Sequence, residues 1–168
     1  DRAETVLFNL FRGTGLKGLT GISPVRGSII RPLLCISREE IENYLKERKI
    51  AFRTDLTNLE TDYTRNKIRL KVLPYVRENI NGKVKEHIIH TSVMIDETLS
   101  YIEKNADESM KRVAKKKNGQ YLIHVDEFAR EDIVIQKLIV RKIIENLAGR
   151  LKDITNEHIT MILSLISK

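Results

Sequence analysis

The chain has 168 residues, of which 41% are hydrophobic and 32% charged, a balance that predicts a soluble globular protein and excludes a disordered one. Thirty Lys and Arg against 23 Asp and Glu give a net charge of +7, which favours a polyanionic partner, RNA ahead of a membrane. With Cys35 as its one cysteine, the chain has no internal disulfide, and no apolar run approaches the ~20 residues of a membrane span.

The first predicted element is a helix over residues 2–12, which Gly13 and Gly15 end. Residues 16–28 contain several glycines and are expected to be irregular. The helix has an apolar stripe at helical spacing that we expect to be buried. Its members are Ala3, Val6, Leu7, Leu10 and Phe11.

Residues 29–30 precede an Arg-Pro pair and predict a short strand, because the residue before proline favours extended backbone. Cys35 follows among apolar neighbours and is expected to be a small core residue. Ser37 and Glu40 have the spacing of a capping box, which predicts the start of a helix. That helix is expected to bury Ile41, Tyr44 and Leu45.

Residues 50–52 predict a second short strand, so residues 1–55 have the pattern of the closing helix–strand–helix–strand part of an α/β domain. Pro74 is expected to start or kink a helix. Asn81-Gly82 is the clearest boundary in the chain. We therefore expect a mainly α protein whose residues 1–80 end an α/β domain and whose residues 81–168 form a helical domain.

The helical domain is expected to begin with one long helix from Val84, extending as far as Lys117, where Asn118-Gly119 stops it. A brief extended segment over residues 121–125 follows. Residues 131–148 predict an apolar helix, and Thr155 is expected to cap a last helix. The inward positions of these last two helices are predicted to be Ile135, Leu138, Ile139, Ile143 and Leu147, then Ile159, Ile162, Leu163 and Ile166.

The sequence around Arg65 and Arg69 has the strongest chemical signal. Asp55 and Asn58 predict a loop stiffened by side-chain to backbone hydrogen bonds. In a helix, Arg65 and Arg69 leave the same face one turn apart, and two guanidinium groups there suit a phosphate. The alternative is a solvated helix start with ordinary surface arginines.

Asp1 and Glu4 would place two carboxylates on one helix face, where they could hold Mg²⁺ or a lysine ammonium group. The alternative is ordinary helix-start electrostatics. The four histidines lack metal-ligand spacing, so a zinc site is not expected. A basic set could contact RNA phosphates in the helical domain, or could be solvated surface. Its members are Lys111, Arg112, Lys115, Lys116, Lys117, Lys137 and Arg141.

Several short blocks of sequence between residues 1 and about 75 match the patterns of one enzyme family. Residues 1–19 match D-x-x-E-T-x-L-x-x-L-x-R-G-S/T-G-x-x-G-L. Residues 31–34 and 38–44 match R-P-L-L and R-x-E-I-x-x-Y. Residues 55–58 and 65–69 match D-x-T/S-N and R-N-x-x-R. With these blocks the chain resembles bacterial tRNA(Ile)-lysidine synthetases, and beyond about residue 75 the likeness is only of helical texture.

The resemblance implies an N-type ATP-pyrophosphatase that uses ATP and Mg²⁺. Residues 1–80 would then be the end of its Rossmann-like nucleotide-binding domain. It would adenylate the wobble cytidine of tRNA(Ile) with a CAU anticodon, and L-lysine would then displace AMP to give lysidine. Asp1 would grip lysine or a metal, and Arg65 and Arg69 would stabilise developing negative charge. Glu4 and Arg12 would lie at the nucleotide. Localisation would be cytoplasmic.

The family's S-G-G-x-D-S pyrophosphate loop does not occur in the sequence. We therefore expect a fragment that lacks this loop and is inactive alone. The sequence allows a homodimer without indicating one. Two alternatives remain: another tRNA modifier on the same scaffold, such as a thiolase, or a non-catalytic helical RNA-binding module.

Overall fold

The computed structural model describes residues 2–53, 64–151 and 154–166, and most of them are helical, as predicted. The chain divides into two compact units, Asp1–Glu97 and Thr98–Lys168. The functional division expected near residue 81 stays a prediction. None of the described helices is long and apolar enough to cross a membrane. The α-helices are α1 (Arg2–Phe11), α2 (Leu16–Leu19), α3 (Arg38–Glu47), α4 (Thr64–Lys67), α5 (Leu73–Asn79), α6 (Val84–Val113), α7 (Val125–Phe128), α8 (Ile133–Ala148) and α9 (Asn156–Ile166).

Four short strands complete the described structure: β1 (Val25–Arg26), β2 (Ile29–Ile30), β3 (Ala114–Lys117) and β4 (Gln120–Ile123). They form two separate antiparallel hairpins, β1–β2 and β3–β4. The described residues therefore contain no parallel sheet. The expected end of an α/β domain is not confirmed, because a Rossmann-like domain is built on such a sheet.

Helix α1 is the predicted first helix, and it packs against α4 and the segment that follows α4. Ala3 and Val6 are buried, and Ile68 and Leu73 are buried on the facing segment. Leu10 lies on the predicted apolar stripe but is half-exposed. The expectation that the whole stripe is buried is therefore wrong at its C-terminal end, where Phe11 is also exposed.

Pro74 starts α5, as predicted, and a π-helical turn over Ile68–Val72 joins α4 to α5. Proline has no N–H with which to continue an α-helical hydrogen-bond ladder. The N–H of Leu73 instead donates to the carbonyl of Ile68, five residues back. Such π turns are rare and are often found at functional sites.

Residues 16–28 are more ordered than expected, since they include α2 and β1. The predicted strand β2 is confirmed, and it pairs with β1 through Val25↔Ile30 and Arg26↔Ile29. Gly27 has φ of 58°, which suits the first position of a two-residue hairpin turn. Cys35 lies in a 3₁₀-helix and is exposed, so its prediction as a core residue is wrong.

Helix α3 begins with the predicted capping box. Ser37 Oγ accepts from the N–H of Glu40 at 3.1 Å, and the Glu40 carboxylate accepts from the N–H of Ser37 at 2.7 Å. Tyr44 is more than half exposed, so its predicted burial is wrong. Residues 50–52 are not a strand, although they were predicted to be one.

In the second unit, α6 ends at Val113, four residues before the predicted limit. The segment Ala114–Lys117 is instead β3, which pairs along its whole length with β4. Asn118 and Gly119 both have positive φ, 50° and 78°, and form the two-residue turn between the strands. The prediction that this pair ends a helix was therefore wrong, since Asn-Gly is a hairpin turn here.

The core of the second unit lies between the end of α6, the β3–β4 hairpin and helices α7, α8 and α9. Ile139 and Ile143 are buried as predicted, whereas Leu147 is half-exposed. Thr155 Oγ1 accepts from the N–H of His158 at 3.4 Å, which confirms the predicted cap. The buried members are Val113, Ala114, Phe128, Ile139, Val140, Ile143, Ile159 and Leu163.

Candidate phosphate site on the first helix

The most buried ion pair of the candidate site joins Glu4 on α1 to Arg69 on the π turn. Arg69 Nε donates to Glu4 Oε1 at 3.0 Å, and Arg69 Nη2 donates to Glu4 Oε2 at 2.7 Å. The Glu4 residue is only 8% exposed, and the Arg69 side chain is 29% exposed. Two-point contact of this kind fixes the angle between the two groups. It ties the start of α1 to the segment that carries Arg65.

Burial of Glu4 opposes its ionisation, but hydrogen bonds from Arg69 and nearby positive charges outweigh it, so the pKa of Glu4 lies below its ordinary value. The hydrogen bonds to Glu4 raise the pKa of Arg69, which burial alone would lower. Both groups are therefore charged at neutral pH.

Arg12 and Arg65, two of the predicted site residues, meet at the ring of Phe8. The guanidinium carbon of Arg12 lies 5.0 Å from the ring centroid, and that of Arg65 lies 5.2 Å from it. Both distances are within the range of cation–π attraction. Both arginines are exposed, and neither makes an ion pair with a carboxylate in the described part of the chain.

Helical spacing explains why these contacts occur together. Glu4, Phe8 and Arg12 follow one another at four-residue steps, so they share one face of α1 and its end. Arg65 and Arg69 have the same spacing on the facing segment. Because Arg69 meets Glu4 and Arg65 meets Phe8, the two segments run in opposite directions. At Glu4 the charge of Arg69 is neutralised by an ion pair. One turn later, at Phe8, the same face presents two guanidinium groups.

Two guanidinium groups beside one ring form a surface that can bind an anion. Arginine presents several N–H donors in a plane and matches phosphate oxygens in pairs. We therefore regard Phe8, Arg12 and Arg65 as a candidate phosphate site. The predicted catalytic role of Arg69 and the predicted nucleotide contact of Glu4 stay predictions. In the structure, Arg69 and Glu4 form an ion pair with each other.

Asp1, Asp55 and Asn58 lie outside the described residues, so the predicted grip, metal site and loop there stay predictions. Among the described residues, no group of three or more His, Cys, Asp or Glu side chains could hold a metal ion. Glu4, the remaining predicted carboxylate, has both oxygens engaged by Arg69. The described donors therefore do not by themselves fit Mg²⁺.

The predicted RNA-binding residues are divided among three elements rather than one helix end. Arg112, on α6, pairs with Glu131, whose other oxygen accepts from Ser109 at 2.9 Å. Lys115 and Lys117 are exposed on β3 and, being two residues apart, leave the same face of the hairpin. Two further predicted RNA-binding residues lie nearby in the sequence. Lys111 is exposed at the end of α6, and Lys116 Nζ lies 5.7 Å from the centroid of the Tyr121 ring.

Among the described contacts, neither Lys137 nor Arg141 touches the lysines of the β3–β4 hairpin. Both are half-buried on α8, and Arg141 Nη2 is directed to the carbonyl of Ile154 at 3.5 Å. The hairpin instead meets α8 through Asn146, which donates to the Tyr121 hydroxyl at 3.1 Å. Lys137 is nine residues from Asn146, about 14 Å along a helix.

An apolar groove of about 360 Å³ also lies in the first unit, between α1, α2, α5 and α6. Leu10, Ile80 and His87 are among its lining residues. None of the predicted site residues lines it.

Phe8 is the site residue that sequence reasoning missed. Its position four residues after Glu4 and four before Arg12 was a usable signal, because all three then share one helix face. The apolar stripe of α1 drew attention to the adjacent face instead. The pairing of Phe8 with Arg65 needs tertiary structure and could not be predicted from spacing.

Comparison with known proteins gives two results. Residues 1–76, which contain the whole candidate site, match the model of the PP-loop domain, an ATP-binding family. The chain is also similar to proteins named tRNA(Ile)-lysidine synthase. The similarity extends over most or all of this chain.

The relative from Caldanaerobacter subterraneus is 39% identical over 168 residues, 100% of this chain and 36% of the relative. The relative from Clostridioides difficile is 41% identical over 98% of this chain and 36% of its own length. The relative from Bacteroides thetaiotaomicron is 46% identical over 82% of this chain and 32% of its own length.

The chain thus spans about a third of the length of the curated relatives it matches. The match of residues 1–76 to the PP-loop domain does not support the expectation of a fragment that lacks the pyrophosphate loop. The similarity also continues through the second unit, where sequence patterns alone had indicated only helical texture.

Proposed function

We propose that the protein is a tRNA-modifying ligase that uses ATP to attach lysine to the wobble cytidine of tRNA(Ile) with a CAU anticodon. The observation that carries this proposal is the similarity of the whole chain to tRNA(Ile)-lysidine synthases. The PP-loop match over residues 1–76 supports ATP use by the first unit.

The proposed reaction has two steps. ATP first adenylates the C2 carbonyl oxygen of cytidine and releases pyrophosphate. The ε-amine of L-lysine, after losing a proton, then attacks C2 and displaces AMP. Both steps develop negative charge on phosphate oxygens, and fixed cations there lower the barrier.

Arg12 and Arg65 are the side chains we assign to that charge. Both are exposed and held at one ring, so their N–H groups are available to a phosphate. Arg69 would support them by fixing the segment that carries Arg65, through its bond to Glu4. We also propose that Arg69 stabilises phosphate charge directly and that Asp1 holds the lysine or a metal ion.

Mg²⁺ would enter with ATP and neutralise phosphate charge. Because the described carboxylates do not offer a ligand cluster, we assign no step to a metal held by them. We infer further that residues 1–80 belong to a Rossmann-like domain, since the PP-loop match covers nearly all of them.

The second unit is proposed to hold the tRNA. Lys115, Lys116 and Lys117 support this role because all three are exposed on β3. Contacts of lysine with phosphates are independent of base sequence and sensitive to salt. The nature of the substrates places the reaction in the cytoplasm, and a homodimer is compatible with it.

The test is incorporation of labelled lysine into tRNA(Ile) bearing CAU, by the whole protein with ATP and Mg²⁺. Formation of lysidine that depends on ATP is the expected result. Binding of tRNA by a folded protein without any incorporation would contradict the proposal and favour a non-catalytic RNA-binding module. Incorporation of sulfur instead of lysine would favour a thiolase.

A further inference from the structure

The ring of Phe8 has an unusual environment, because two side chains of the same charge lie against it. The guanidinium groups of Arg12 and Arg65 are 5.0 and 5.2 Å from its centroid. Like charges repel, so bringing them to one place needs a compensating attraction. The electron-rich face of the ring provides it without adding a negative charge.

One turn earlier on the same helix face, a carboxylate rather than a ring contacts an arginine. There Glu4 accepts two hydrogen bonds from Arg69, and the charge of that arginine is neutralised locally. At the position of Phe8, an aromatic ring orients Arg65, and no carboxylate of the described residues pairs with that arginine. The half-buried ring also limits the directions in which the two arginine side chains can extend.

From this geometry we propose that Phe8 is a positioning residue, whose ring holds Arg12 and Arg65 side by side as one site for a phosphate-class anion. The inference rests on the proposed function and deepens it. The anion has two possible sources with the same chemistry, the phosphates of the nucleotide and a backbone phosphate of the tRNA.

The first experiment titrates the 168-residue chain with inorganic pyrophosphate and follows the Nε–Hε resonances of arginine by NMR. Phe8→Leu keeps an apolar side chain but removes the ring, and Phe8→Tyr keeps the ring. Phe11→Leu makes the same change on the same helix, at a ring that has no guanidinium group over it in the described structure.

Phe8→Leu is expected to weaken pyrophosphate binding by about fivefold to thirtyfold, as loss of two exposed cation–π contacts implies. Phe8→Tyr and Phe11→Leu are expected to bind like the original chain. Phe8→Met, which is close in volume and also lacks the ring, is used if Phe8→Leu loses its far-ultraviolet circular dichroism. Equal binding by folded ring-less variants, of pyrophosphate here and of tRNA in the second experiment, would overturn the proposal.

The second experiment repeats the comparison with tRNA as the anion. Weakening of pyrophosphate binding alone assigns the site to the nucleotide, and weakening of tRNA binding alone assigns it to the RNA backbone. Either result supports a positioning role for Phe8. If the ring-less variants bind both anions normally, the inference fails even when the whole protein still forms lysidine, so the proposed function is tested separately.

Discussion

The Glu4–Arg69 pair allows a quantitative prediction, because its two members differ in burial. Arg69→Met removes the guanidinium partner of a carboxylate on a side chain that is 10% exposed. Glu4→Gln instead changes the partner of a guanidinium group on a side chain that is 29% exposed. We expect the first change to destabilise the first unit more than the second change does.

The magnitudes follow from the two possible responses of Glu4. Breaking a buried pair costs about 3–5 kcal/mol when the remaining charge stays buried. Protonation of Glu4 at pH 7 limits that cost to about 3.4 kcal/mol, from 1.36 kcal/mol per pH unit above an ordinary value of 4.5. Loss of a charged hydrogen bond in Glu4→Gln costs about 1.5–3 kcal/mol, and partial solvation of Arg69 places it at the lower end.

The pH dependence has a definite sign. The pKa of Glu4 is lower in the folded chain than its ordinary value, so its contribution is complete above about 4.5 and is lost as the pH falls through the folded value. The difference in stability between the original chain and Glu4→Gln is therefore expected to shrink below pH 4.5.

Urea unfolding followed by circular dichroism at 222 nm, from pH 7 to pH 3, measures both effects. A shift in the midpoint at constant slope reports a change in the free energy of unfolding. Equal costs for the two variants at pH 7, or a Glu4→Gln effect that persists unchanged at pH 3, would refute the reasoning.

Three further predictions concern the second unit. Ile139→Ala, at a fully buried position, should cost about 2–5 kcal/mol in thermal unfolding, whereas Val134→Ala, at a half-exposed position, should cost less than about 0.5 kcal/mol. Gly149→Ala should cost about 1 kcal/mol in urea unfolding, because φ there is 71° and an added methyl group meets no atom within 4 Å, so backbone strain is the whole effect. Changing Lys115 and Lys117 together to Gln should reduce the salt slope of tRNA binding by about 1–2, and an unchanged slope would exclude both from phosphate contact.

Local rules predicted local structure well. The capping box of Ser37 and Glu40, the cap at Thr155 and the helix start at Pro74 were all predicted correctly, because each depends on a few neighbouring residues. The Asn118-Gly119 hairpin had an equally local signal. It was missed because helical periodicity upstream was extended through a stretch of lysines that suits either a helix end or an edge strand.

Burial was predicted less well than element type. Cys35, Tyr44 and Leu147 have apolar character and were placed in the core, yet all three are exposed. Periodicity shows which side chains share a face, but tertiary contacts decide whether another element covers that face.

The candidate site was predicted in part. Arg12 and Arg65 were named from sequence, and the structure places them at one ring. Sequence spacing could not show that Phe8 is that ring or that Arg69 pairs with Glu4, because both contacts join segments about 60 residues apart.

We propose that Arg65 stabilises negative charge during lysidine formation, and turnover by Arg65→Ala in the whole protein measures this role. Arg48→Ala is the matched control, since Arg48 is also exposed and its guanidinium carbon lies 5.4 Å from the centroid of the Tyr44 ring. We predict that Arg65→Ala lowers turnover by about tenfold or more, while Arg48→Ala leaves it unchanged. Unchanged lysidine formation by a folded Arg65→Ala protein would contradict the claim.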